Sequence, residues 1–210
     1  MSIDKVKGKF VLEYHLYNQF YRKSIFAVLI LGILTALIFL FASFYFENFI
    51  VEQTHLIAEQ MLDDKEEPAN IQKFYSILLN NLFIGLMIIL CGFIPVYGLP
   101  FIYGLLSFAS VGIVAGYGVI MNHNVLQTMV VAFLPHAVIE IIPILYSVAI
   151  GMYVNKNMFY KVFHRKKNSE KFKGMLRQGI TSYIVIIIPL FILAALVEAF
   201  ITSRLVDIFL

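Results

Sequence analysis

The chain has 210 residues, 60% of them hydrophobic and only 14% charged, whereas an ordinary soluble domain is about a quarter charged. The apolar residues come in long uncharged blocks, which excludes a soluble globular domain and predicts an all-α, polytopic membrane protein. The net charge of +3 is unevenly spread, and the single cysteine, Cys91, excludes an internal disulfide framework or a cysteine-rich metal site.

Residues 1–23 carry Lys5, Lys7, Lys9, Arg22 and Lys23 against Asp4 and Glu13, while Val6, Phe10, Tyr14, Tyr17 and Tyr21 recur at helical spacing. This predicts a basic amphipathic helix in the headgroup region, with a solvated basic tail as the alternative. The first apolar block begins only at Ser24, behind this leader, so it reads as a retained anchor and not a cleaved signal. The first predicted span is 24–46, closed by the aromatic edge Phe44, Tyr45 and Phe46. The connection 47–73 holds seven acidic residues against Lys65 and Lys73, plus Pro68, and reads as a water-exposed loop with a short surface helix around 49–62.

The second span is expected at 74–94, a tight connection at 95–100 and the third span at 97–119. A short polar loop with Asn122, His123 and Asn124 leads to the fourth span at 128–154. Residues 155–177 carry eight Lys or Arg against Glu170 alone, and the fifth span follows at 178–200. Lys and Arg favour short cytoplasmic segments, so the basic leader and the basic 155–177 loop both belong inside. Four crossings between them put the acidic connection outside. The expectation is a five-span, multi-pass protein of the cell membrane, with its N-terminus in and its C-terminus out.

Helices in lipid associate through small residues and interhelical hydrogen bonds. Asn81, Gly85, Ile88 and Gly92 share one face of the second span, Gly112 and Gly116 form a small-xxx-small pair in the third, and Thr128, Ala132, His136, Glu140, Pro143, Ser147 and Gly151 form one stripe of the fourth. Spans two to four are therefore expected to make the inner bundle, with the first and fifth peripheral. Gly112-x-x-x-Gly116 suits self-association equally well. Pro135, Pro143 and Pro189 each remove a backbone donor within a span.

The chemistry-bearing feature is His136 with Glu140, one turn apart on a helix face inside the bilayer, where ionisable groups are costly. Asn80 and Asn81 supply donors and acceptors that could satisfy them. Four readings compete: a structural polar clasp, which leads; a proton or ion pathway; a docking or switching site; and a metal-dependent intramembrane hydrolase. The last lacks H-E-x-x-H, and no glycine-rich phosphate loop precedes a helix. No catalytic residue, metal ligand set or cofactor is therefore assigned. The basic 161–173 segment is read as inside-positive and lipid-facing, not as a nucleic-acid patch.

From Phe74 to Gly151 the sequence resembles the stage II sporulation protein M family. The resemblance rests on Phe74 with Asn80-Asn81, on Gly85, Gly92 and Gly98, on the late Asn122, and above all on Leu134-Pro135-His136 followed by Glu140. The family's Asn-Gly turn stands here as Asn122-His123, and its Pro-His-Gly as Pro135-His136-Ala137. The resemblance implies a non-enzymatic membrane component of the cell envelope. In spore formers the namesake localises peptidoglycan hydrolases at the engulfing membrane, and some relatives look like partners of transport systems. The leading expectation is thus a subunit that positions extracytoplasmic partners such as a wall hydrolase. The alternative is the membrane subunit of an exporter, or a small permease using His136 and Glu140.

Overall fold

Five helices are long and apolar enough to cross a membrane: Phe10–Tyr45, Asn70–Cys91, Leu99–Ile120, Ala137–Phe163 and Lys173–Phe209. The computed structural model describes residues 3–53, 69–121, 124–163 and 172–209, and among them all regular structure is helical. The first span comprises α1 (Ile3–Leu16) and α2 (Arg22–Tyr45), joined through a π-helical turn at Tyr17–Tyr21. The second is α3 (Asn70–Cys91) and the third α4 (Leu99–Ile120). A short α5 (Val125–Thr128) and a π turn at Met129–Phe133 lead into α6 (Leu134–Phe163), the fourth span. The fifth span is α7 (Phe172–Ser182), α8 (Ile188–Leu196) and α9 (Ser203–Phe209), linked by π turns at Tyr183–Ile187 and Val197–Thr202. Residues 47–53 are also helical; the rest of the surface helix expected at 49–62 lies outside the described residues.

Two of the prolines explain two of the π turns. Pro135 and Pro189 each stand two residues beyond one, and the widened turn is closed by Leu134 N–H on Met129 O and by Ile188 N–H on Tyr183 O. In a regular helix a proline ring collides with the carbonyl four residues back, and a turn reaching five back relieves that crowding. Pro143 instead sits inside α6, where the Ser147 hydroxyl donates to its carbonyl at 2.8 Å.

The lipid-facing surface is legible from exposure. Ile30, Ile38 and Phe41 on α2, Leu79 and Phe83 on α3, and Ile102, Leu106 and Val114 on α4 are all more than half exposed. So continuous an apolar exterior suits hydrocarbon, not water.

The packing differs from the sequence expectation in where the centre lies. α6 is the hub: Leu145, Val148, Ala149, Ile150 and Val154 are buried on it, and it meets α2, α3, α4 and α8. The fifth span is not peripheral, because Ile187, Phe191, Ala194, Ala195 and Ala199 are completely buried. The first span stays peripheral as expected, with only Val28, Gly32 and Ser43 buried on α2, although its inner face packs closely on α4. Gly112 abuts the Ala36 carbonyl, Gly116 abuts Ser43, and a methyl at Gly32 would lie 2.6 Å from the Phe108 ring. The small-xxx-small pair of the third span is therefore used inside the monomer. Bulky aliphatic residues look the same whether they face lipid or a neighbouring helix, so composition alone could not assign these faces.

The N-terminal helix also differs. Phe10 and Tyr14 of the expected apolar stripe are 51% and 67% exposed, while Tyr21 of the same stripe is buried, together with Glu13 and Leu16 from outside it. Tyr17 stacks on Tyr146, and Tyr21 and Phe20 pack on Tyr146 and Tyr153. The helix is thus docked on the bundle through a face that contains a carboxylate. Ser182 of the fifth span donates to the Glu13 carboxylate, with both oxygens at 2.8 Å.

Candidate functional site

Among the described residues, the polar side chains expected to clasp the bundle do not all point the same way. Asn80 and Asn81 are adjacent on α3, and neighbours on a helix point about 100° apart. Asn81 is buried at 5% exposure, while Asn80 is exposed toward the edge of the bundle. Glu140 sits in the second turn of α6, half-buried. Among the described residues no hydrogen bond joins either asparagine to Glu140, and the Asn81 amide nitrogen is buried without a partner. The backbone of His136 lies in the first turn of α6, one turn before Glu140. The His136 side chain, Asn122 and His123 lie outside the described residues.

What brings Asn80, Asn81 and Glu140 together is a cavity of about 610 Å³. Its walls are otherwise largely apolar: Leu37 and Leu40 from α2, Phe108 and Val111 from α4, Ile141 and Ile144 from α6. Ser107 and Ser110 of α4 add two hydroxyls, Ala137 and Leu134 line it beside the π turn that ends at Phe133, and Phe191 reaches it from the fifth span. Pro135 thus acts at the cavity through the backbone: the turn it requires is the one that carries Met129 and Phe133 to the cavity wall.

Of the glycines named from the sequence, Gly85, Gly92, Gly112, Gly116 and Gly151 are contact points met by a neighbour, whereas Gly98 has open space around it. A methyl at Gly85 would meet the Phe191 ring at 2.9 Å and the Ser147 hydroxyl at 3.1 Å, and Gly92 abuts the backbone of Gly151. Gly151 in turn faces the Ile88 carbonyl, 2.8 Å from where its own methyl would be. The second and fourth spans therefore touch backbone to backbone, as small residues permit in lipid.

One residue that sequence reasoning missed organises the turn between the second and third spans. Asn155, assigned above to the basic loop after 154, lies inside α6, which runs on to Phe163, and is completely buried. Its amide nitrogen donates to Ile94 O at 2.7 Å and Val96 O at 3.0 Å, and its oxygen accepts from Gly98 N–H at 2.9 Å. Gly98 has φ +88°, the left-handed conformation that caps α4 ahead of Pro100. A signal was present: Ser147, Gly151 and Asn155 continue the stripe at four-residue steps, and the charges beginning at Lys156 hid it.

Chemically, the cavity offers hydrogen bonding within a hydrocarbon enclosure. Among the described residues no three His, Cys, Asp or Glu side chains gather as metal ligands. A bundle of five membrane-length helices, lipid-facing outside and held by glycine contacts and a buried asparagine inside, defines a polytopic helical membrane protein. The chain belongs to the stage II sporulation protein M family, whose model matches residues 24–203. The match takes in the first and fifth spans as well as the 74–151 region that carried the resemblance. No curated protein and no solved structure matches the chain.

Proposed function

We propose that this protein is a non-enzymatic, multi-pass component of the cell membrane that recruits or positions partner proteins on the outer side, a peptidoglycan hydrolase being the partner class the family suggests. Membership of the family supports the reading. The observation that carries it is the segregation of charge: seven acidic residues lie in the 47–73 connection, while eight Lys and Arg lie in 155–177. An acidic segment held between two spans offers an electrostatic docking surface to a basic partner, and such complementarity sets encounter rate and selectivity. The positive-inside rule places that segment outside, with the N-terminus in the cytoplasm and the C-terminus outside.

Reporter fusions at Glu59 and Lys167 test the orientation, and both on one side would sink it. Crosslinking and mass spectrometry from native membranes test the role. A co-purifying envelope protein should be lost when the acidic residues of 47–73 are replaced by their amides, and retention of every crosslink overturns the reading. A transport role is the second reading, favoured by the position of Glu140 on the cavity wall. It requires the protein alone in liposomes to move protons or a solute, with loss in Glu140→Gln.

A further inference from the structure

The cavity and the Asn81 amide pose one question together. A buried amide nitrogen without a partner is costly in hydrocarbon, where no water replaces the missing bond. Asn81 is also among the residues that line a cavity of about 610 Å³, a size within the range of about 300–1,000 Å³ typical of ligand pockets. Half-open between membrane-spanning helices, with Ile33, Leu134 and Val138 of its lining more than half exposed, it is accessible to molecules of the membrane.

The chemistry of the wall selects among membrane components. No lysine or arginine is present among the described lining residues, and Glu140 is the described carboxylate there. A phosphate or other anionic headgroup would find no countercharge and one acid opposite it. The Asn81 nitrogen requires an acceptor; the Ser107 hydroxyl can accept or donate, and that of Ser110, which donates to the Ser107 carbonyl at 2.9 Å, can still accept. The apolar remainder, from Leu37 to Phe108 and Ile141, matches a hydrocarbon body.

We propose that the cavity is a binding site for an uncharged lipid: a hydrocarbon body carrying an ester carbonyl or hydroxyl, held by the Asn81 amide. This inference concerns a ligand and stands apart from the partner role above. The bound lipid completes the polar contact that the protein leaves open, and the segments between which it sits include the π turn at Met129–Phe133.

The test uses the full chain in nanodiscs with two photoreactive probes sharing one diazirine acyl chain, a diacylglycerol and a phosphatidylglycerol, and maps the labelled peptides. The diacylglycerol probe should label α2, α4 and α6 around Leu37, Val111 and Ile141, saturably and in preference to the phosphatidylglycerol probe. Asn81→Leu, which keeps volume but removes the amide, should weaken labelling about three- to tenfold, the worth of one neutral hydrogen bond. Ala137→Phe, which fills the cavity from its wall, should abolish it and decides the matter if Asn81→Leu does not fold. Equal labelling by both probes, or labelling unchanged in a folded variant, shows that bulk acyl chains merely occupy the space and overturns the proposal.

Discussion

Asn155 reaches back 57 residues to accept the amide hydrogen of Gly98 at 2.9 Å, and both of its amide hydrogens are used on Ile94 and Val96. One side chain thus satisfies three backbone groups of the non-helical turn between α3 and α4, a turn whose Ile94, Val96 and Tyr97 side chains are themselves exposed. The turn lies between two spans, and these three bonds tie it to the fourth span, whose buried Asn155 supplies them. Asn155→Leu leaves all three unpaired and is expected to cost about 2–4 kcal/mol, given about 1–3 kcal/mol for a buried unsatisfied group and smaller net values in membranes. Asn155→Asp keeps an acceptor for Gly98 but sets oxygen against two carbonyls, and should be no better. Unfolding free energies from steric trapping in bicelles check both; a loss below about 0.5 kcal/mol for the leucine variant removes the role assigned to this residue.

The turn itself can be tested without touching Asn155. Nothing lies within 4 Å of where a methyl at Gly98 would project, so the only penalty for Gly98→Ala is its left-handed backbone. That penalty is about 1–2 kcal/mol, and Gly98→Asn should cost less because asparagine tolerates the conformation better. Equal stability of all three variants would mean that the turn relaxes to another conformation.

Much of this architecture was written plainly in the sequence. Five apolar blocks, separated by charge and proline, announced five membrane-length helices, but not that the fourth and fifth run on to Phe163 and Phe209. The partners were not legible. Gly112 and Gly116 announced a close helix contact, but nothing in their spacing names Ala36 and Ser43 as what they meet. Phe191 and Phe41 have the same hydropathy, yet one is completely buried and the other 67% exposed. Glu13 was counted with the soluble charges because a carboxylate ahead of an apolar span ordinarily faces water, and only the three-dimensional approach of Ser182 shows otherwise. Of the site, Asn80, Asn81 and Glu140 line one cavity, a grouping that their separation of some sixty residues in the chain does not announce.

The first and third spans should be acutely sensitive to the smallest additions. A methyl at Gly112 would run into the Ala36 carbonyl, which is backbone and cannot rotate away. Gly112→Ala is expected to destabilise by about 1–3 kcal/mol, as overpacking does, and Gly112→Val by more. Gly174 is the internal control, since it lies in α7 with open space around it. Gly174→Ala should stabilise by about 0.5–1 kcal/mol through helix propensity alone. Matching responses at the two positions would show that the α2–α4 contact is looser than described.

Docking of the N-terminal helix depends on a polar contact at its centre. Glu13 is 2% exposed and its described hydrogen bond comes from Ser182. Ser182→Ala leaves the buried carboxylate without that donor, whereas Glu13→Gln keeps a side chain that can accept from the hydroxyl. Losing the donor to a charged group is worth about 1.5–3 kcal/mol, enough to open a locally held helix without unfolding the bundle. Hydrogen exchange should therefore quicken at residues 3–16 in Ser182→Ala, with little change in α3, α4 and α6. Uniform quickening across the chain would mean that Ser182 supports the whole bundle instead.

The last expectation concerns Glu140, where the sequence favoured a structural clasp. Half-buried on a cavity wall, and without a hydrogen bond to Asn80 or Asn81, it has little packing to lose. Glu140→Gln preserves shape and hydrogen-bonding capacity while removing the ionisable group, so its effect on stability is expected to stay within about 1 kcal/mol. Gly85→Ala, where the second span meets the fourth and fifth, would push a methyl against Phe191 and should cost more. The ordering of these two variants in steric trapping decides whether the bundle is held by its polar pair or by its glycine contacts. If Glu140→Gln proves the more destabilising, the clasp is structural after all and the cavity is secondary. If Gly85→Ala does, Glu140 is free to serve a ligand or a proton, and an assay of labelling or flux on Glu140→Gln then reads function without the confusion of misfolding.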